Sequence, residues 1–206
     1  MAMIRVPVDA LWVRRMAELA DAPWSEEALI AAFERFGWTG AVQRSEPDGP
    51  PRLPWCDWAD LLPEQGGRTT YSGWTMYFYE PSDADSLLNA GIALVCGSFW
   101  PPCGEDDTGV PDPFAAAGRD EFLNNDEWAV WVTDPTARRA EFVAEFDRIE
   151  ALARDVCGEP TRTLRDERGI ASIWERGGAA LSLMAEPNEW DYEAYDWITL
   201  RVIPVP

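Results

Sequence analysis

PTARRAEFVAEFDRIEALARDV, residues 135–156, is the stretch that decides the fold. Phe142, Phe146, Ile149, Ala153 and Val156 recur in it at steps of four, three, four and three, which is one face of an α-helix. Thr133 or Asp134 is placed to cap the start, Pro135 suits the first turn, and Gly158 followed by Pro160 stops the helix. The residues beyond Pro160 have the pattern of a small antiparallel sheet for that helix to cover. Segments 170–174 and 179–184 flank Glu175-Arg176-Gly177-Gly178, good chemistry for a hairpin turn. In 197–203, WITLRVI, Ile198, Leu200 and Val202 alternate with Thr199 and Arg201, as in a half-buried antiparallel strand.

The first half has a similar plan. Residues 8–20 form a first helix, with Leu11, Trp12, Arg15, Met16 and Leu19 along one side. Ser25 caps a second, Glu26 and Glu27 sit in its positive first turn, and Gly37 ends it where a left-handed residue is needed. Leu29, Ile30, Phe33 and Phe36 give it an apolar face. Residues 38–43 start a strand, and 44–70 are a proline-punctuated loop holding Trp55 and Trp58. WTMYFY (74–79), IALVC (92–96) and WAVWV (128–132) are strands by composition. The fold class is α+β: antiparallel sheet with amphipathic helices packed on one face. The 206 residues make a single domain whose halves, 1–132 and 133–206, share one core and are candidates for a repeated α-β-β-β plan.

Charge sets this chain apart. It has 37 acids against 17 bases, a net of −20; every base is arginine and there is no histidine. A field of that sign repels nucleic acid and anionic membrane and attracts a basic partner; solubility is the plain alternative. Without histidine there is no Ser-His-Asp triad, Cys-His pair or histidine metal ligand, and without lysine there is no Schiff base or P-loop lysine. The four cysteines form no CxxC pair; Cys96 and Cys157 fit as buried small hydrophobes, while Cys56 and Cys103 lie in proline-rich loops. Carboxylate pairs for hydrolysis are available but unspecific among 37 acids. Gly104-Glu105-Asp106-Asp107-Thr108-Gly109 is rich in oxygen ligands yet lacks the order of an EF-hand. No catalytic residue, metal ligand or cofactor is therefore assigned. The N-terminal residues show no signal-peptide pattern and no run has the length of a membrane span, so the expected compartment is the cytoplasm.

Two acidic loops are the candidate binding surface. Segment 101–127 supplies Asp106, Asp107, Asp112, Asp120, Glu121, Asp126 and Glu127, and 185–196 supplies Glu189, Trp190, Asp191, Tyr192 and Glu193. Aromatic rings among acids suit a protein interface, the rings anchoring and the acids steering.

Three segments carry a family resemblance: SEEALIAAFERFGW at 25–38, the later helix running into CGEPT at 157–161, and W-x-x-G-G-A-A-L-S-L at 174–183. With them the chain resembles small, acidic, tryptophan-rich actinobacterial proteins that include candidate immunity proteins of polymorphic toxin systems. That resemblance implies a non-enzymatic inhibitor of a basic toxin domain and carries over no site residue. A carboxylate or metal-dependent hydrolase and a scaffold module with no charge-specific partner are the alternatives; the oligomeric state is left open.

Overall fold

The computed structural model describes residues 2–5, 7–37, 43–44, 51–52, 76–79, 91–100, 132–166, 169–187 and 196–205. They form an α+β fold. The elements in order are β1 (Ala2–Arg5), α1 (Ala10–Asp21), α2 (Glu26–Phe36), β2 (Gln43–Arg44), β3 (Pro51–Arg52), β4 (Met76–Tyr79), β5 (Gly91–Trp100), β6 (Val132–Asp134), α3 (Arg139–Cys157), β7 (Arg162–Asp166), β8 (Gly169–Glu175), β9 (Ala179–Pro187) and β10 (Asp196–Pro204). The main sheet runs β6-β1-β5-β10-β9-β8-β7, with β4 also on β5, and every pairing is antiparallel. β5 is long enough to hold β4 along Gly91–Leu94 and β1 along Gly97–Trp100 on the same side. Its other side pairs β10, so strands from both halves of the sequence share one sheet.

Helices α1 and α3 lie side by side on one face, α1 against β9 and β10 and α3 against β9 and β5, with α2 packed on α1. Alternation of side chains places Ile92, Leu94, Leu181, Leu183, Ile198, Leu200 and Val202 under them, all fully buried. Phe142, Phe146, Ile149 and Ala153 of α3 close the core from above, and Val156 packs at its margin. From α1 the buried set is Trp12, Val13, Met16, Ala17, Leu19 and Ala20. Leu11, expected on that face, is instead exposed at the first turn, where Asp9 caps the helix by accepting from the Leu11 and Trp12 backbone N–H groups at 2.8 and 3.1 Å.

α2 is capped and stopped as its sequence requires: Ser25 Oγ accepts from the Ala28 N–H, and Gly37 takes the left-handed conformation at φ 78°. α3 begins later than the sequence pattern indicates. Asp134 does not cap it; its carboxylate accepts from the backbone N–H and hydroxyl of Thr136, closing a local turn that uses up Pro135 and Thr136. The helix starts at Arg139, with the Glu141 carboxylate accepting from the Arg138 N–H at 2.8 Å.

Two strands carry no alternating apolar signal. β1 is four residues long, and β7, RTLRD, is exposed along its whole length at the sheet edge. A third departure concerns β10. Thr199 and Arg201 occupy the face expected to meet solvent, yet both are buried, so the centre of the sheet is closed on both faces. The strand readings at 38–42 and 128–131, the tryptophans of 38–74, Trp128, Trp131, Cys56 and Cys103 lie outside the described residues. Among the described residues, no helix is long and apolar enough to cross a membrane.

Candidate functional site

The antiparallel register brings one end of the sheet into focus. Phe99 of β5 pairs with Asp196, the first residue of β10, and Asp196 pairs with Pro187, the last residue of β9. Segment 101–131 follows Trp100 directly in the sequence, and segment 188–195 lies between Pro187 and Asp196. The two acidic stretches singled out in the sequence are thus rooted side by side. They hold eight acids with one arginine and three acids with no base respectively, half of the net −20. Asp106, Asp107, Asp112, Asp120, Glu121, Asp126, Glu127, Glu189, Trp190, Asp191, Tyr192 and Glu193 themselves lie outside the described residues, as does the oxygen-rich 104–109 run.

The start of α3 braces this end. Arg139 pairs with Asp196, and its guanidinium lies 4.8 Å from the Phe142 ring and 5.9 Å from the Phe99 ring. Those two rings meet at 5.5 Å between centroids. Desolvation lowers the Arg139 pKa, and the guanidinium is cationic because its ordinary value is so high. A cation at this point ties β10, β5 and α3 together directly at the root of the acidic segments. Composition flagged the acids but gave no sign of Arg139, because the pairing joins residues 57 apart in sequence.

Two further polar centres lie elsewhere in the sheet. On the face away from the helices, Arg201 is 5% exposed. Its cross-strand neighbours are the small Ser182 and Ala93, which leave room for the guanidinium. Arg201 Nε donates to Thr199 Oγ1 at 2.9 Å, and Nη2 pairs with Glu186. Ser182 Oγ is buried beside it with no hydrogen-bond partner among the described residues. Among the described residues, Glu186 balances the Arg201 charge.

On the helix face, Glu145 of α3 is 3% exposed and holds two arginines. Arg148 donates from Nε at 3.0 Å and from Nη2 at 2.6 Å, and Arg5 of β1 donates from Nη1 at 3.2 Å. Arg148 Nη1 also donates to the Val8 carbonyl at 2.9 Å, so one guanidinium fastens α3 to the chain leading into α1. The bond to Glu145 raises the Arg148 pKa. Beneath it, Cys96 is wholly buried, and desolvation pushes its thiol far above the usual range. That removes Cys96 as a nucleophile, since only the thiolate attacks. Cys157 is half-buried and shifted the same way by desolvation.

Among the described residues, no cluster of three or more acids and cysteines could hold a metal ion. No known protein family, curated protein or solved structure matches this chain.

Proposed function

We propose that this protein is a non-enzymatic cytoplasmic inhibitor of the immunity type, which binds a basic protein domain such as a toxin and covers its working surface with carboxylates. The observation that carries this proposal is the common root of the two acidic segments at one end of the sheet, braced by the Arg139–Asp196 pair. Acids spread evenly over a surface serve solubility. Half of the net charge attached to one end of a sheet supplies a directed field, which speeds encounter with a cationic partner. In this scheme the acids of 101–127 and 188–195 stand in for phosphate charge against the partner's arginines and lysines. Trp190 and Tyr192 supply the apolar anchors that an interface centre needs.

The test is capture from the native cell at low and at high salt, then association kinetics with the basic protein recovered. Steered association is fast and slows steeply as salt rises. Reversing Asp106, Asp107, Asp120 and Glu121 together should cut the association rate at low salt at least tenfold and leave dissociation nearly unchanged. A partner that binds the reversed variant at the wild-type rate refutes the role of the acidic end. Absence of any basic partner at either salt refutes the inhibitor proposal itself.

A further inference from the structure

We infer that β7 is a self-association edge, on which a second copy of this chain adds its own β7 in antiparallel register. Strand β7 ends the sheet, and all five of its residues are exposed. Its backbone groups on the side away from β8 meet no other strand among the described residues. Such an edge is a template for another strand. At its midpoint stands Leu164, 48% exposed, an apolar residue on an otherwise polar strand.

The side chains select the occupant. In a continuous antiparallel sheet, facing residues must point to the same side, so registers differ by steps of two residues. Centring two copies on Leu164 sets Leu164 against itself, Arg162 opposite Asp166 at both ends, and Thr163 opposite Arg165. Moving the centre to Arg165 puts that arginine against its own copy, and moving it to Thr163 leaves Arg162 facing Leu164. Only the first register pairs opposite charges, and it does so twice by symmetry. The two-fold axis then passes through Leu164 perpendicular to the sheet. The helices of both copies lie on one face, and the acidic ends point in opposite directions, three strands from the junction on each side. Most copies of a chain carrying −20 repel one another, which is why a local and self-complementary arginine–aspartate pattern at the edge is informative. Five residues a side is a small contact, so the association belongs to the weak, concentration-dependent class.

The test is sedimentation equilibrium of the full chain with two charge variants. Arg162→Asp places aspartate opposite aspartate in a self-pair, and Asp166→Arg places arginine opposite arginine. Each variant alone should sediment as a monomer of about 23.1 kDa with an unchanged far-UV spectrum, while wild type shows a reversible monomer–dimer equilibrium. Mixing the two variants restores opposite charges at both ends, so a dimer should reappear, at least tenfold more stable than either variant's own. Wild type that stays monomeric at its highest attainable concentration overturns the inference whatever the variants do. A wild-type dimer that survives both single substitutions, or a mixture that stays monomeric, overturns the register.

Discussion

Replacing Arg148 with alanine tests how α3 is fixed to the sheet. The substitution deletes three hydrogen bonds: two to Glu145 and one to the Val8 carbonyl. It also leaves the Glu145 carboxylate buried with only Arg5, at 3.2 Å, from a guanidinium that is half exposed. Breaking a buried ion pair by removing one member costs about 3–5 kcal/mol, because the other charge is stranded out of water. Arg148 is itself 42% exposed on its side chain, so solvent reaches into the gap and the lower end, about 3 kcal/mol, is expected. For a chain of this size that corresponds to a fall in Tm of roughly 6–12 °C. Removing both charges with Glu145→Leu and Arg148→Met should recover most of the loss, leaving about 1 kcal/mol for the orphaned Val8 carbonyl and altered packing. Urea unfolding monitored by tryptophan fluorescence gives both values, provided the slope m is unchanged. If Arg148→Ala costs less than about 1 kcal/mol, or the double variant is as unstable as the single one, Glu145 is not a stranded charge.

Neighbouring glycines give a sharper local contrast. A Cβ on Gly178 would collide with the Ala22 carbonyl oxygen, whereas one on Gly177 would sit 3.5 Å from the Asp21 carbonyl oxygen, an ordinary contact. Gly178→Ala should cost about 1–3 kcal/mol in urea unfolding and Gly177→Ala less than about 0.5, with equal effects counting against the packing of the β8–β9 turn on the end of α1. Cys96 sets a pH dependence. Its thiol is held neutral in the folded chain and ionises near pH 8.5 in the unfolded one, so its contribution is intact below about pH 8 and declines as pH rises beyond that. Cys96→Ser, whose hydroxyl does not ionise, should flatten the stability profile between about pH 8 and 10; a profile as steep as wild type would assign the slope to other groups.

Legibility in the sequence tracks burial. Helices α1 and α2 have one dry face and one wet one, which writes a period of 3.6 into the residues, while the β8–β9 hairpin is legible from its Arg176-Gly177-Gly178 turn between two apolar runs. β7 has no dry face, so Arg162-Thr163-Leu164-Arg165-Asp166 carries no alternation to read. β10 departs in the opposite direction. Burial on both faces breaks the equation of polar with exposed, and Arg201 has the look of a surface residue because its neutralising partner, Glu186, lies on another strand. The start of α3 is displaced from its sequence signal because Asp134 has the chemistry of a helix cap and spends it on Thr136. At the candidate site, composition marks the acids, while the adjacency of their roots at Phe99, Pro187 and Asp196 is a matter of strand order, which no local pattern encodes.

Strand order also governs when the sheet can exist during synthesis. β10 lies between β5 and β9 and is made after both: β5 is complete at Trp100 and β9 at Pro187, while β10 begins at Asp196. Until it is made, no strand among the described residues joins the two sides of the sheet, and the inner edges of β5 and β9 lack their partner. A chain truncated before Asp196 would therefore leave two strand edges, of β5 and β9, without the strand that joins them, the kind of surface that aggregates recruit. β10 works as the keystone that joins the two sides of the sheet.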